Sequence, residues 1–146
     1  MTTLTRFRRT VRLVLILVGS VGLAGCGAAT PTTYPVQGKV QVQGGDVTRL
    51  AGGHVEVVQP NDLRIAARAE IQDDGSFALE TIHAGKPLSG VRPGDYQVRI
   101  VLSDEDRGSR RRRGQVLAPR FTQYKTSGLT LQAPTDGTVC LTVSTR

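Results

Sequence analysis

The sequence predicts an all-β domain, a sandwich of seven short strands, and three observations lead to this prediction. Apolar and polar residues alternate with a period of two over most of the chain after residue 35, as in strands with one buried face. Clusters of Gly, Pro, Asn and Asp interrupt the alternation about every ten residues. No helical periodicity of useful length follows residue 25. Strands with one apolar face can bury that face between two sheets that pack against each other, which is the architecture of a sandwich.

Four strands are predicted in the first part of the domain, each bounded by turn residues. They cover residues 36–43, 54–59, 65–72 and 76–80, and in each the apolar side chains fall on one face. The Asp-Asp-Gly sequence at 73–75 is typical of a tight hairpin turn, because Asp and Gly tolerate the positive φ that such a turn needs. The residues predicted to face the core are Val36, Gly38, Val40, Val42, Val55, Val57, Ala67, Ala69, Ile71, Phe77 and Leu79.

Three more strands are predicted in the second part, separated by longer connections. Residues 81–94 contain two Pro and three Gly and are predicted to form a loop. The clearest alternation runs through residues 95–102, and a charged loop follows at residues 103–114. The last two strands are predicted at residues 128–133 and 138–143. The inward residues of the strand at 95–102 are Tyr96, Val98, Ile100 and Leu102.

The first 25 residues are predicted to be a signal peptide for export. An apolar stretch at residues 13–24 follows a segment that contains four arginines and no acidic residue. This order matches the basic and apolar regions of a secretory signal. Twelve residues of α-helix span about 18 Å, too little to cross a bilayer core of about 30 Å. The stretch closes with Leu23-Ala24-Gly25-Cys26, which resembles the lipobox of bacterial lipoproteins, where the cysteine is acylated and becomes the new N-terminus. An ordinary signal peptide with a chance cysteine is the alternative.

These motifs divide the chain into three parts. Residues 1–25 are the signal peptide, residues 26–34 carry the lipidated Cys26 and a flexible tether, and residues 35–146 form the β-sandwich domain. The expected location is the cell envelope, with the domain held on the extracytoplasmic side of a bacterial membrane by the lipid on Cys26. Gly27 rather than Asp follows the cysteine, and in Gram-negative lipoproteins this pattern favours the outer membrane.

The distribution of charge argues against nucleic acid as a partner. The whole chain has a formal charge of +7, but four of its nineteen basic residues lie in the signal peptide, so the mature chain carries +3. Without the run from Arg110 to Arg113 the mature charge would be −1. Basicity confined to one loop that has no aromatic residues for base stacking does not favour DNA or RNA.

The arginine run is nevertheless the unusual feature of the mature sequence. In the predicted loop, acidic residues at 104–106 precede Arg107 and the four arginines. Guanidinium groups bind phosphate and carboxylate in a bidentate geometry, so lipid headgroups, acidic glycans or an acidic partner protein would fit this loop. The alternative is a solvated loop tip that neutralises its own charge. The candidate anion-binding residues are Arg110, Arg111, Arg112 and Arg113.

The remaining reactive residues do not form a set with catalytic or metal-binding spacing. Asp73 and Asp74 supply too few oxygens for calcium, which takes about six to eight. Two histidines, His54 and His83, and the tyrosines are numerous enough for an iron site with two His and two Tyr ligands. No two of these residues, however, have the sequence spacing of a metal-binding pair. Cys140 is predicted on the outward face of the last strand; a disulfide with Cys26, in a chain without lipid, is the alternative. The sequence therefore predicts no metal, no cofactor and no enzyme activity. The tyrosines considered are Tyr34, Tyr96 and Tyr124.

Five short segments carry a family resemblance. Residues 36–40 read VQGKV, residues 69–79 read AEIQDDGSFAL, residues 91–98 read VRPGDYQV, residues 117–121 read LAPRF and residues 127–130 read SGLT. In their order and spacing they resemble small lipoproteins with a carboxypeptidase-regulatory-like domain, a family abundant in planctomycetes.

This resemblance implies a transthyretin-like sandwich, related to Ig-like sandwiches, over about residues 35–144. Two features depart from the family: Ile71-Gln72 stands where Thr-Asp is usual, and the arginine run is unusual there. The chain reads Val-Ser-Thr-Arg at residues 143–146 and not the Tyr-Arg-Gly-Ser type of ending found in transthyretin-like hydroxyisourate hydrolases, which disfavours that activity.

The function expected from these observations is that of a non-catalytic, membrane-anchored structural or interaction module. The membrane would be contacted through the lipid on Cys26, and an envelope protein or glycan is the expected partner. The alternative function is a carbohydrate- or polyanion-binding envelope protein that uses the loop at residues 103–114.

Overall fold

The computed structural model describes residues 29–103 and 116–145, and strands dominate this part of the chain. The all-β class is confirmed, with nine strands among these residues instead of the seven predicted. Two 3-10 turns at Val47–Leu50 and Pro119–Thr122 and one short helix, α1 (Tyr124–Ser127), accompany them. The strands are β1 (Gln37–Gln43), β2 (His54–Gln59), β3 (Asp62–Glu70), β4 (Ser76–Ala78), β5 (Glu80–His83), β6 (Lys86–Ser89), β7 (Gly94–Val101), β8 (Leu129–Ala133) and β9 (Val139–Ser144).

The strands form two sheets. The larger sheet has six strands in the order β6-β5-β3-β2-β7-β8, and every neighbouring pair in it is antiparallel. The smaller sheet has three strands in the order β4-β1-β9, with β1 antiparallel to β4 and parallel to β9. The first and last described strands are therefore neighbours.

One hydrophobic core joins the two sheets. The smaller sheet contributes Val40 and Leu141, and the larger sheet contributes Val57 and Val98 on two central strands. This arrangement confirms the expected sandwich, because each sheet hides one face against the other. All residues predicted to face the core are buried except two, Val42 and Leu102, which are half-buried and pack against it.

The predicted loop at residues 81–94 is wrong for residues 81–89, where β5 and β6 form a hairpin. Ala84 and Gly85 both have positive φ, 49° and 77°, as a tight hairpin turn requires. The polarity of β5 is inverted: Thr81 is buried, with its hydroxyl donating to a backbone carbonyl at 2.8 Å, while Ile82 is exposed. Because the polar residue faces inward and the apolar residue faces outward, the pattern of apolar and polar residues does not predict this strand.

The turn at residues 73–75 forms, but it does not join a hairpin. Gly75 has φ 82°, and its N–H donates to the carbonyl of Gln72 at 2.9 Å. The strands on either side lie in different sheets, since β3 pairs with β2 and β5 whereas β4 pairs with β1. The hairpin prediction was wrong because a local turn signal does not specify which sheet the next strand joins.

The chain is bonded to the domain from Thr33 onward. The Thr33 hydroxyl donates to the carbonyl of Ser89 at 2.9 Å, and Tyr34 and Val91 exchange two backbone hydrogen bonds of 2.8 and 2.9 Å. Gly90 lies against this pairing with φ 88°, and a Cβ there would be 2.2 Å from the carbonyl oxygen of Tyr34. The segment expected to be a tether through residue 34 thus contacts the domain over its final two residues.

Tyr96 is buried in the core and bonds the start of β7 to the segment that precedes it. The residue is 2% exposed, and its hydroxyl donates to the carbonyl of Arg92 at 2.8 Å, the arrangement called a tyrosine corner in β-sandwiches. Burial raises the pKa of this hydroxyl. The side chain of Gln59 donates to the carbonyl of Pro93 at 2.9 Å, so a second strand is bonded to the same turn. The chain bends at Pro93 and enters β7 at Gly94.

Two features predicted from the sequence lie outside the described residues: the signal peptide with Cys26, and the run from Arg110 to Arg113. Within the described part of the chain, no helix has the length and apolarity needed to cross a membrane.

Candidate functional site

A row of alternating charge crosses the outer face of the larger sheet. Glu80 on β5 is paired in register with Arg68 on β3. Arg68 is paired in turn with Glu56 on β2, and Glu56 with Arg99 on β7. Paired residues on neighbouring strands point to the same face, so these four side chains form one line, which we call the charged row. It faces away from the core, because the residues that precede and follow Glu56 on its strand are buried.

At one end of the row, Arg99 and Glu56 form an ion pair that Tyr124 completes. The guanidinium donates from Nε at 2.8 Å and from Nη2 at 2.6 Å to one oxygen of Glu56, Oε2. The Tyr124 hydroxyl donates to the same oxygen at 3.3 Å, and the guanidinium carbon lies 4.7 Å from the centre of the Tyr124 ring. Each of the three groups is held by the other two, which fixes the orientation of the ring.

The electrostatics of this cluster follow from partial burial. Burial raises the pKa of the Tyr124 hydroxyl, an effect that the charge of Arg99 opposes and the carboxylate of Glu56 reinforces. For Arg99, burial works against the charged form, but the hydrogen bond and charge of Glu56 outweigh it, so its pKa is raised. The two charged side chains are 36% and 27% exposed, and such a pair contributes only about 1 kcal/mol or less to stability. Its main consequence is the placement of the ring.

Helix α1 brings Tyr124 onto this face. The Ser127 hydroxyl donates to the carbonyl of Val98 on β7 at 2.5 Å, which fastens the helix to the sheet. Gly128 then ends the helix in the left-handed conformation, with φ 67°. Ser127 and Gly128 therefore lead the chain into β8 and also position an aromatic side chain beside the charged row.

A cavity of about 330 Å³, which we call the hollow, opens beside Tyr124 on the same face. Ala66 and Ile82 give it apolar surface, and Ile82 is 54% exposed although it is a large aliphatic residue. Charged groups of both signs surround these apolar residues. The full lining is Glu56, Arg64, Ala66, Ala67, Arg68, Glu80, Ile82 and Tyr124.

A second cavity of about 670 Å³, which we call the groove, lies where the edge of the smaller sheet meets β2 and β3. Arg68 and Glu80 line both the groove and the hollow, so the two cavities adjoin across the charged row. Amide and charged side chains dominate the lining of the groove. Its residues are Gln37, Gly38, Lys39, His54, Arg68, Ala69, Glu70, Gln72, Ser76, Phe77, Ala78, Glu80 and Thr138.

The two side chains shared by the cavities are not used in bonds within the domain. Neither Arg68 nor Glu80 makes a side-chain hydrogen bond or ion pair with another described residue. Glu56, the other neighbour of Arg68, already accepts from Arg99 and Tyr124 through one oxygen. A donor and an acceptor therefore stand side by side on the sheet, open to a ligand.

The residues considered from the sequence for metal binding are dispersed. Hydrogen bonds from the side chain and the backbone N–H of Ser76 lower the pKa of Asp74, and the backbone bond of 2.9 Å identifies Asp74 as a turn residue. His54 lines the groove, whereas His83 closes the β5–β6 hairpin beside Ala84. Among residues 29–103 and 116–145, no group of three or more His, Cys, Asp or Glu side chains is arranged to hold a metal ion. Cys140 is exposed on β9, as its alternation predicts.

The charged row was missed by reasoning from the sequence. Alternation with the predicted inward residues Val57 and Ala67 places Glu56 and Arg68 outward, but the alignment of these two side chains depends on strand register, which alternation does not give. Glu80 was assigned to the end of another strand because β5 was not recognised. The signal that was available is the opposite charge at the centres of adjacent strands, since opposite charges favour direct cross-strand pairing.

No protein-family model, no curated protein sequence and no solved structure matches this chain. The class of protein that the fold defines is an all-β sandwich with a charged, cavity-bearing outer face. The resemblance to lipoproteins with a carboxypeptidase-regulatory-like domain depends on the five sequence segments alone.

Proposed function

We propose that this chain is a lipid-anchored, extracytoplasmic interaction module of the bacterial cell envelope, without catalytic activity. The observation that carries the proposal is the run Leu23-Ala24-Gly25-Cys26 after a basic and an apolar region. The domain's own contacts begin at Thr33, only seven residues after Cys26. Seven extended residues reach about 25 Å at most, so the sandwich would stay close to the membrane surface.

The surface offered to a partner is, in this proposal, the outer face of the larger sheet. It carries the hollow, and the groove adjoins the hollow where the edge of the smaller sheet meets β2 and β3. Arg68 and Glu80 lie between the two cavities without partners among the described residues. The five sequence segments that resemble the carboxypeptidase-regulatory-like lipoprotein family support a finer assignment, to a transthyretin-like domain of that family. The hairpin of β5 and β6 would then be an addition to the expected seven strands.

The anchor is tested by metabolic labelling with a radioactive fatty acid. We expect the wild-type chain to be labelled and membrane-bound, and Cys26→Ser to lose the label to background, because the hydroxyl cannot replace the thiol as the acylated group. Cys140→Ser is the matched control: this exposed thiol on β9 lies outside the lipobox, and its loss should leave labelling unchanged. Equal labelling of wild type and Cys26→Ser would refute the anchor.

A second function, binding of polyanions, is favoured by the run from Arg110 to Arg113. Replacing all four arginines with serine is expected to lower the salt concentration at which the protein elutes from heparin, because charge-assisted contacts are lost. Replacing Arg49 and Arg120, two arginines elsewhere on the domain, should have a smaller effect. Elution that does not change in the four-serine variant would exclude the arginine run as a polyanion site.

A further inference from the structure

We propose that the hollow and the groove together bind a neutral glycan chain. This inference deepens the proposed interaction function, on which it rests, by naming the ligand class and the residues that would contact it. The glycan site does not depend on the lipid on Cys26 or on the arginine run. The glycan, anchor and polyanion hypotheses can therefore each be refuted separately.

The shape of the site favours an extended ligand. The two cavities measure about 330 and 670 Å³ and meet at Arg68 and Glu80, so a ligand that lies across the charged row would occupy both. Neither cavity is buried deep in the core; both open along the outer surface and the sheet edge. A chain of several linked units can follow such a path, whereas a compact small molecule would occupy one cavity alone.

The apolar surface of the hollow suits the face of a sugar ring. A pyranose presents C–H groups on its faces and hydroxyl groups around its edge, and it packs on aromatic or aliphatic side chains. Tyr124 is held in place by Arg99 and Glu56, so little conformational entropy is lost when a ligand packs against it. Ile82, exposed on β5, supplies a second apolar side chain, and Ala66 leaves the space between them open.

The polar groups at the junction suit the hydroxyl edge of the same ring. A guanidinium only donates hydrogen bonds and a carboxylate only accepts them. Arg68 and Glu80 stand beside each other without partners among the described residues, and neighbouring sugar hydroxyls can accept from the first while donating to the second. In the groove, Gln37 and Gln72 add amides, which both donate and accept.

The balance of charge favours a neutral ligand over an anionic one. The hollow is lined by two carboxylates, Glu56 and Glu80, and by two guanidiniums, Arg64 and Arg68. In the groove, Lys39 and Arg68 balance Glu70 and Glu80, with His54 as the remaining titratable group. A polyanion would meet as many like charges as opposite ones at this surface, so it gains little from binding there.

The test uses the full chain, purified in detergent, and four neutral hexasaccharides: cellohexaose, xylohexaose, mannohexaose and chitohexaose. Titrations followed by NMR should give saturable shifts with at least one of them. Arg68→Gln and Ile82→Ser should each weaken binding about tenfold or more, equivalent to about 1.4 kcal/mol. Two matched controls, Arg49→Gln and Leu63→Ser, change exposed residues that line neither cavity and should bind like wild type.

Three results would overturn the proposal: no saturable binding to any of the four sugars, binding that Arg68→Gln and Ile82→Ser leave intact, or equal losses in the two controls. Thermal melting of every variant separates loss of the site from loss of the fold. Fatty-acid labelling of the same preparations separates this proposal from the anchor, because a labelled protein that binds no glycan refutes only the ligand.

Discussion

Replacing Gly90 with alanine is expected to destabilise the domain by about 3 kcal/mol or more. A Cβ at this position would lie 2.2 Å from the carbonyl oxygen and 2.5 Å from the carbonyl carbon of Tyr34, and both are backbone atoms that cannot rotate away. The positive φ of 88° adds strain for any residue with a side chain. Urea denaturation measures the loss directly, and the midpoint of thermal unfolding should fall by about 10 °C.

Gly85→Ala is the matched control for this prediction. Gly85 also has positive φ, 77°, but no atom lies within 4 Å of the Cβ that alanine would add. Its replacement should cost only the conformational strain, about 1 kcal/mol. If the two variants lose equal stability, the close approach of Gly90 to Tyr34 does not contribute. The amide protons of Tyr34 and Val91 should exchange faster in Gly90→Ala, since their hydrogen bonds join the two segments that the clash separates.

Tyr96→Ala is expected to cost about 3–5 kcal/mol, because it empties the space of a large core side chain that is 2% exposed. Tyr96→Phe separates the ring from the hydroxyl. It keeps the packing and removes the hydroxyl, which donates to the carbonyl of Arg92 and is hydrogen-bonded to the side chain of Gln59, so the expected loss is about 1 kcal/mol. Chemical denaturation of both variants measures the two contributions. A loss in Tyr96→Phe as large as in Tyr96→Ala would mean that the corner hydrogen bond, and not the packing of the ring, dominates.

The parts of the fold that follow from local pattern could be predicted from the sequence. In β7, alternation places Tyr96, Val98 and Ile100 inward, and the structure confirms all three. In this strand the alternation, the strand limits and the preceding Pro-Gly sequence all indicate the same element, which begins near residue 94. Strand β5 could not be predicted in the same way, because Thr81 gains its place in the interior from a hydrogen bond to a backbone carbonyl that only the folded chain provides.

The candidate site was less predictable than the core because it depends on pairing across the sheet. Tyr124 reaches Glu56 over a separation of 68 residues, and Arg99 reaches it over 43. Periodicity identifies which residues point outward on each strand, but it does not identify which residues of different strands become neighbours. The arginine run, in contrast, is obvious in the sequence and lies outside the residues that the structure describes.

The parallel pairing of β1 with β9 has a consequence for the order of events during biogenesis. One wall of the interior consists of β4, β1 and β9, so it is incomplete until residues 139–144 have emerged from the ribosome. Contacts between such distant segments raise the contact order and slow folding. A domain that needs β9 for closure stays incompletely folded during its synthesis, and an incompletely folded chain is the state that a translocation channel can accept if the chain is exported as proposed.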